Sequence, residues 1–184
     1  RDNETADIAI QSALTGHLVL STLHTNDSVG AVNRLVNMGI EPYLVAASLS
    51  AALAQRLVRR ICPDCKEEDY DITRRVRAEI ADVMSIPPED VQAWKAPGCL
   101  ECNHMGYKGR VAIYEFFLLD EELQDMVSAH RATGELRKAA IERGMHTLRD
   151  DGWEKVAQGQ TTIEEVQRIT STFQIGYDID EDEM

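Results

Sequence analysis

The sequence predicts an α/β fold with a metal-stabilised lobe inserted in it and a helical region at its end. Three observations predict it. Leu18-Val19-Leu20-Ser21-Thr22-Leu23 is a short apolar run without strict alternation, lying between helical patterns, as suits a parallel strand covered on both faces. All four cysteines fall into two CxxC pairs, Cys62-Pro63-Asp64-Cys65 and Cys99-Leu100-Glu101-Cys102. From Asp120 onward the apolar residues recur at helical spacing.

The cysteines carry the sharpest chemistry. Two residues between thiolates let both sulfurs face one centre, and two such knuckles complete the tetrahedron that Zn²⁺ prefers. The 33 residues between Cys65 and Cys99 exceed the usual ribbon spacing of roughly 15–20, so the intervening segment must form a small lobe. Two disulfides would need an oxidising compartment, and a single CxxC could be a redox couple. Doubling the pair with no cysteine left over favours structural zinc on Cys62, Cys65, Cys99 and Cys102.

Composition narrows the class. A chain of 184 residues, 43% hydrophobic and 28% charged, is long enough for one large or two small globular units. No window approaches the ~18 consecutive apolar residues of a membrane span, and no signal peptide opens the chain. The expected setting is cytosolic, which also suits reduced cysteines. A net charge of −13 repels phosphate backbones and disfavours nucleic acid as a partner. Asp178-Ile179-Asp180-Glu181-Asp182-Glu183 reads as a disordered acidic tail.

Taken in order, the chain opens with Asp2 or Asn3 as the cap of a helix from about Glu4 to Leu14. Thr15-Gly16 ends it, and the apolar run 18–23 follows. His24 stands at the end of that run, where open α/β sheets bind ligands; the plain alternative is a histidine satisfied in a loop. Thr25-Asn26-Asp27-Ser28 reads as a cap cluster for a helix with Ala31, Val32, Leu35 and Val36 on one face and Gly39 as its stop. A longer helix is expected from Pro42 to Ile61, on Leu44, Val45, Leu49, Leu53 and Leu57. Arg56, Arg59 and Arg60 would then complement its carbonyl end.

The lobe spans Cys62 to Arg110. A helix is expected over Ile72–Met84, broken by Pro87-Pro88, with a short helix from Pro88 towards Trp94. Gly106 and Gly109 permit tight turns after the second knuckle, and His104 reads as a loop residue because four cysteines already fill a tetrahedron. Arg110–Phe117 is β-rich. Helices are expected over Asp120–His130, Thr133–Arg143, Thr147–Gln158 and Thr161–Thr170, with capping boxes at Thr147 and at Thr161. Their charges read as solvated faces. The resulting segments are 1–61, 62–110, 111–177 and the tail 178–184.

The order of these parts resembles the secretion ATPase superfamily, in its type II secretion and type IV pilus assembly branch. The stretches that carry the resemblance are Arg1-Asp2-Asn3-Glu4-Thr5-Ala6, similar to the segment trailing the Walker B element, and Thr15-Gly16-His17-Leu18-Val19-Leu20-Ser21-Thr22-Leu23-His24-Thr25-Asn26, similar to the His box. Leu53–Cys65 resembles the family's entry into its tetracysteine lobe, and Gly106-Tyr107-Lys108-Gly109-Arg110 and Arg149-Asp150-Asp151-Gly152 also fit. The resemblance covers nearly the whole chain except the acidic tail.

It implies the C-terminal part of a RecA-like P-loop ATPase domain, with a tetracysteine zinc lobe and a C-terminal helical subdomain. It further implies a homo-hexameric cytoplasmic motor, peripheral at the inner membrane through platform and adaptor proteins. Such a motor uses Mg-ATP to drive pilus or pseudopilus assembly or type II secretion. By position, His17 and His24 match the His-box histidines near the nucleotide phosphates, and Arg1, Asp2 and Glu4 match the stretch after the Walker B acid. The tetracysteine lobe favours an assembly motor over the retraction ATPase.

No GxxxxGK[ST] phosphate loop occurs in the 184 residues, and the family's Walker B glutamate would precede Arg1. The expectation is therefore a fragment that does not hydrolyse ATP by itself. The alternative is a non-catalytic, zinc-stabilised protein-interaction module.

Overall fold

A computed structural model describes residues 2–171. Arg1 and the expected acidic tail lie outside the described residues. Three helices come first: α1 (Asn3–Leu14), α2 (Gly30–Asn37) and α3 (Pro42–Ser48). A long strand β1 (Ala51–Ile61), a short β2 (Glu67–Glu68), α4 (Arg74–Met84) and a short β3 (Trp94–Lys95) follow. The long strand β4 (Tyr107–Leu118) then leads to α5 (Glu121–Ser128), α6 (Thr133–Glu142), α7 (Leu148–Ala157) and α8 (Ile163–Thr170). Strands β1 and β4 pair with each other, and β2 pairs antiparallel with β3. Leu119 donates its N–H to Ser50 O at 3.0 Å and Cys62 donates to Gly106 O at 2.9 Å, so β1 and β4 run in opposite directions.

Two elements differ from the sequence reading. The helix expected from Pro42 to Ile61 stops at Ser48, and Ala51–Ile61 is a strand. Its leucines Leu53 and Leu57 are exposed while Ala54 and Val58 are buried. A spacing of four residues is about one helical turn and also two full strand repeats, so periodicity could not separate the two. Pairing with β4 decides it. Arg56, Arg59 and Arg60 therefore do not complement a helix end. The second difference is Leu18–Leu23, which is no strand in the described structure; Leu18 and Leu20 stand 88% and 87% exposed. An apolar run becomes a strand only where a neighbour completes its hydrogen-bond ladder, and no other described segment does so here.

The chain forms two compact units, neither continuous in sequence and neither following the segments drawn from the sequence. The first comprises the residues up to Ala54 together with Glu115–His146. Asp2 caps α1 by accepting the Thr5 N–H at 2.8 Å, and Gly39, at φ +90°, turns the chain after α2. One apolar core holds this unit: Ala6 and Ile10 of α1, Val32 and Leu35 of α2, Val45 of α3, and Phe117, Leu123, Val127 and Leu136 from the later segment. Asp120 caps α5, accepting from Leu123 N at 3.1 Å, and pairs with Arg143.

The second unit comprises Gln55–Tyr114 and the residues from Thr147 onward. Its core joins Val76, Ile80 and Ala81 of α4 with Val91 and Ala93 before β3, Trp153 and Val156 of α7, and Val166 of α8. The cysteine lobe is thus not a separate body: α4, lying between the knuckles, shares its apolar face with the last two helices. Thr73 caps α4, and Thr147 forms the expected capping box with Asp150. At α8 the cap is Thr162, not Thr161. The Thr161 hydroxyl instead donates to Arg59 O at 2.8 Å. Gly152 sits where an added Cβ would lie 2.6 Å from Val166 Cγ1, so only glycine lets α7 and α8 approach this closely.

The charges of these last helices are not all solvated, contrary to the sequence reading. Glu165 is fully buried. It accepts from Arg59 N at 2.9 Å and Arg59 Nη2 at 2.6 Å, and from Arg168 Nε at 3.0 Å and Nη2 at 2.9 Å. The Arg59 guanidinium also lies 4.0 Å from the Tyr107 ring centroid. Glu79 of α4 binds Arg149 at 2.8 Å and the Trp153 indole N–H at 3.1 Å, fastening α4 to α7.

Candidate functional site

The four cysteines converge. Their Sγ atoms all lie within 4.8 Å of one another, with Cys62–Cys99 at 4.0 Å, Cys65–Cys102 at 3.9 Å and Cys99–Cys102 at 3.7 Å. A tetrahedron of sulfurs about 2.3 Å from a central Zn²⁺ has edges of about 3.8 Å. A disulfide needs sulfurs about 2.05 Å apart, and all four thiols are free. The donor set and its spacing fit a four-thiolate metal centre, with Cys62, Cys65, Cys99 and Cys102 as the residues able to hold it.

Local backbone geometry builds the second knuckle. Leu100–Cys102 forms one 3₁₀ turn, and Asn103 and His104 follow at φ +51° and +59°. Cys102 Sγ receives the N–H groups of Cys99 and Gly106, each at 3.2 Å. Gly106, at φ +76°, comes so close to Ala96 that an added Cβ would lie 2.3 Å from its carbonyl oxygen. Gly98, at φ +95°, is packed against His104 in the same way, at 2.6 Å. Gly106 was legible as a knuckle glycine; Gly98 was not singled out, although a glycine directly before CxxC is a usable signal. His104 is exposed and contributes no ligand atom to the cluster.

The thiols differ in acidity. The Cys99 N–H, and after it the Gly106 N–H, hold Cys102 down to about 6, whereas burial pushes Cys65 up to about 12 and also raises Cys62. Amide donors favour the thiolate and desolvation disfavours it. Four thiolates in one spot are tolerable only when a cation offsets them.

His17 and His24 belong to the first compact unit, and the cysteines to the second. His17 follows α1, exposed; its N–H bonds Ser12 O at 3.1 Å, and its Nδ1 lies 3.2 Å from both Ser12 O and Thr15 Oγ1. His24 is exposed within the extended stretch that precedes α2. Asp2 is engaged as the α1 cap and Glu4 is exposed in the first turn of that helix. Arg1 lies outside the described residues.

Sequence reasoning missed the polar cluster that closes the histidine segment. Glu115, on β4 and 2% exposed, accepts the Ser28 N–H at 2.8 Å and the Ser28 hydroxyl at 2.5 Å. Arg137 of α6 bridges Glu115, at 3.6 Å, and Asp27, at 2.6 Å. Asp27 in turn accepts the Gly30 N–H at 2.7 Å. The usable signal was a carboxylate at the centre of an inward-facing alternation, Ile113–Glu115–Phe117, all three buried.

Among known proteins, the family described as "Type II/IV secretion system protein" matches residues 1–168. The type II secretion system protein E of Aeromonas hydrophila is 51% identical over 174 residues, covering 92% of this chain and 33% of its own length. The type II secretion system ATPase E of Vibrio cholerae is 49% identical over 92% of this chain and 33% of its length. The type IV pilus assembly ATPase PilB of Myxococcus xanthus is 47% identical over 90% of this chain and 29% of its length. The chain thus spans about a third of the length of these relatives.

In fold, the chain is similar to the pilus retraction motor PilT bound to ADP (TM-score 0.59, 20% identity, 92% of this chain and 37% of that one). It is similar also to the Legionella pneumophila ATPase DotB (TM-score 0.60, 20% identity, 94% and 37%). The expected α/β fold, the clustered cysteines and the helical end are all present. Together with the match across residues 1–168, they establish that the chain belongs to the type II/IV secretion system protein family.

Proposed function

We propose that the chain is part of a cytoplasmic, homo-hexameric motor that hydrolyses Mg-ATP to drive pilus or pseudopilus assembly or type II protein secretion. The observation that carries this reading is the 47–51% identity to relatives named as type II secretion proteins and pilus assembly ATPases. In this reading Zn²⁺ is structural on Cys62, Cys65, Cys99 and Cys102, whose sulfur spacing supports it. His17 and His24 serve the nucleotide phosphates, which is consistent with their exposure at the two ends of one extended segment. Arg1, Asp2 and Glu4, which match the stretch after the Walker B acid, serve cofactor binding. The partners are further copies of the same protein and the inner-membrane platform and adaptor proteins that hold it at the membrane. Nucleic acid is not among them, in keeping with the charge of −13. The 184 residues alone do not turn ATP over, because no GxxxxGK[ST] loop cradles the phosphates.

The test is phosphate release by the full-length protein, with His24→Ala and His17→Ala beside it. The parent hydrolyses ATP, and His24→Ala lowers turnover about 10²-fold, the scale on which removing one positioned polar group acts, while its circular dichroism is unchanged. A His24→Ala protein with the parental rate would remove the histidine assignment. A full-length parent that assembles yet releases no phosphate would remove the motor itself and leave a zinc-stabilised interaction module.

A further inference from the structure

We infer that Glu115, acting with Arg137, is a positioning residue for the segment that carries His24. The inference rests on the motor reading above and adds residues which that reading does not use.

The segment from His17 to Asp27 has no regular secondary structure. Its amide and carbonyl groups are in no described ladder, so contacts at its ends bear directly on its path. At the start, His17 is tied back to α1 through Ser12 and Thr15. At the other end, Ser28 gives both its N–H and its hydroxyl to Glu115, which lies 87 positions further along the chain. Arg137 then holds the neighbouring Asp27, and Asp27 receives the first N–H of α2. The second fastening involves β4 and α6. α6 also reaches α2 itself, where the Asn33 amide donates to the Thr133 hydroxyl. His24 lies three residues before Asp27, within the span these two anchors define.

The chemistry of the second anchor is demanding. A carboxylate that is 2% exposed is stable only while its oxygens are paired. Glu115 divides that pairing, one oxygen to Ser28 and the other to Arg137. Loosening Arg137 therefore weakens both contacts to the loop, at Asp27 directly and at Ser28 through Glu115. The bland alternative is that the cluster only stabilises the fold. The two differ in readout: a structural role lowers stability and leaves the turnover of folded protein unchanged.

The experiment uses the full-length protein with Glu115→Gln, Arg137→Gln and Arg137→Lys, and with Glu122→Gln as a surface control. Two quantities are read: hydrogen exchange of peptides covering residues 18–29, and the separate kcat and KM for ATP. We expect Glu115→Gln and Arg137→Gln to exchange faster across 18–29 while peptides of α5 keep the parental rate. Their kcat should fall about 10- to 100-fold, the scale of a misplaced reacting group, with KM changed less than about threefold. Arg137→Lys, which keeps the charge, should recover part of kcat. If Glu115→Gln does not fold, the two Arg137 variants carry the test. Parental exchange in 18–29 in the folded variants would overturn the inference. So would faster exchange with parental kcat. A parent protein without ATPase activity would remove the motor reading and the kinetic half of the inference, and exchange alone would then decide whether Glu115 anchors the segment.

Discussion

The two compact units are held together by different physics. The first rests on one continuous apolar core of helices packed with the end of β4, including Phe117, Leu123, Val127 and Leu136. The second has a smaller apolar core around Trp153, Ile80 and Val166, and it adds the four-thiol cluster and a fully buried glutamate gripped by two arginines. Apolar packing is distributed, so a single deletion removes a fraction of it. Metal ligation and a buried charge are concentrated, so one missing partner leaves the rest uncompensated. Among the described residues, the first unit has one such point, Glu115 with Arg137, and should elsewhere yield gradually. The second has two, the thiols and Glu165, and should yield abruptly at a few atoms.

The sharpest break is metal removal. Structural zinc can carry apparent free energies of about 10–16 kcal/mol in small domains at neutral pH. Protein purified without chelator should hold one zinc per chain, and Cys99→Ser should lose it. Protease should then cut within 62–72 and 95–106, near the knuckles. Because α4 is fastened to α7 through Glu79, Arg149 and Trp153, fragments containing α4 should survive longer than the knuckles themselves. Mass spectrometry that found two disulfides in freshly lysed cells would contradict the zinc assignment.

A packing deletion in the other unit should have a smaller effect and leave the metal alone. Phe117 is fully buried in the first core, and Phe117→Ala should cost about 3–5 kcal/mol with zinc content still one per chain. Loss of zinc in this variant would mean that the two modes of stabilisation are not separable.

The smallest effect concerns Glu165. Burial alone would raise its pKa, but the hydrogen bonds from Arg168 and Arg59 outweigh it and bring it from 4.5 to about 2. The proton therefore binds more tightly in the unfolded chain. The stabilisation is complete above about pH 4.5 and is lost as pH falls towards 2, amounting to at most about 3 kcal/mol. Both tryptophans, Trp94 and Trp153, belong to the second unit, so their fluorescence during acid titration reports on it. Glu165→Gln should be less stable at pH 7 and should flatten the part of the acid transition between pH 4.5 and 2. An unchanged acid profile would show that the arginines do not favour the ionised form.

The contrast between the two buried glutamates and the helix caps bears on what can be read in a sequence. Asp2 at α1, Thr73 at α4 and Thr147 with Asp150 at α7 act over three residues, and such signals are complete within the chain's own neighbourhood. Even here, the capping box expected at Thr161 missed the true cap by one residue. Thr162 caps α8, and the Thr161 hydroxyl donates to Arg59 O. Glu115 and Glu165 meet partners 87 and 106 positions away, and no local pattern names those partners.

By itself the sequence determined the two cysteine knuckles, most helix ends, the glycine turns at Gly39 and Gly106, and, through resemblance, the family. Those follow from short-range geometry: two residues between thiols, a side-chain oxygen three residues before an amide, a positive φ that only glycine adopts without strain. The tertiary structure alone decided that Ala51–Ile61 is a strand, that Leu18–Leu23 is not one, and that α4 of the cysteine lobe shares a core with α7 and α8. A strand exists only through its neighbour's hydrogen bonds, and a buried charge only through its distant counter-charge, so both depend on where the rest of the chain has gone.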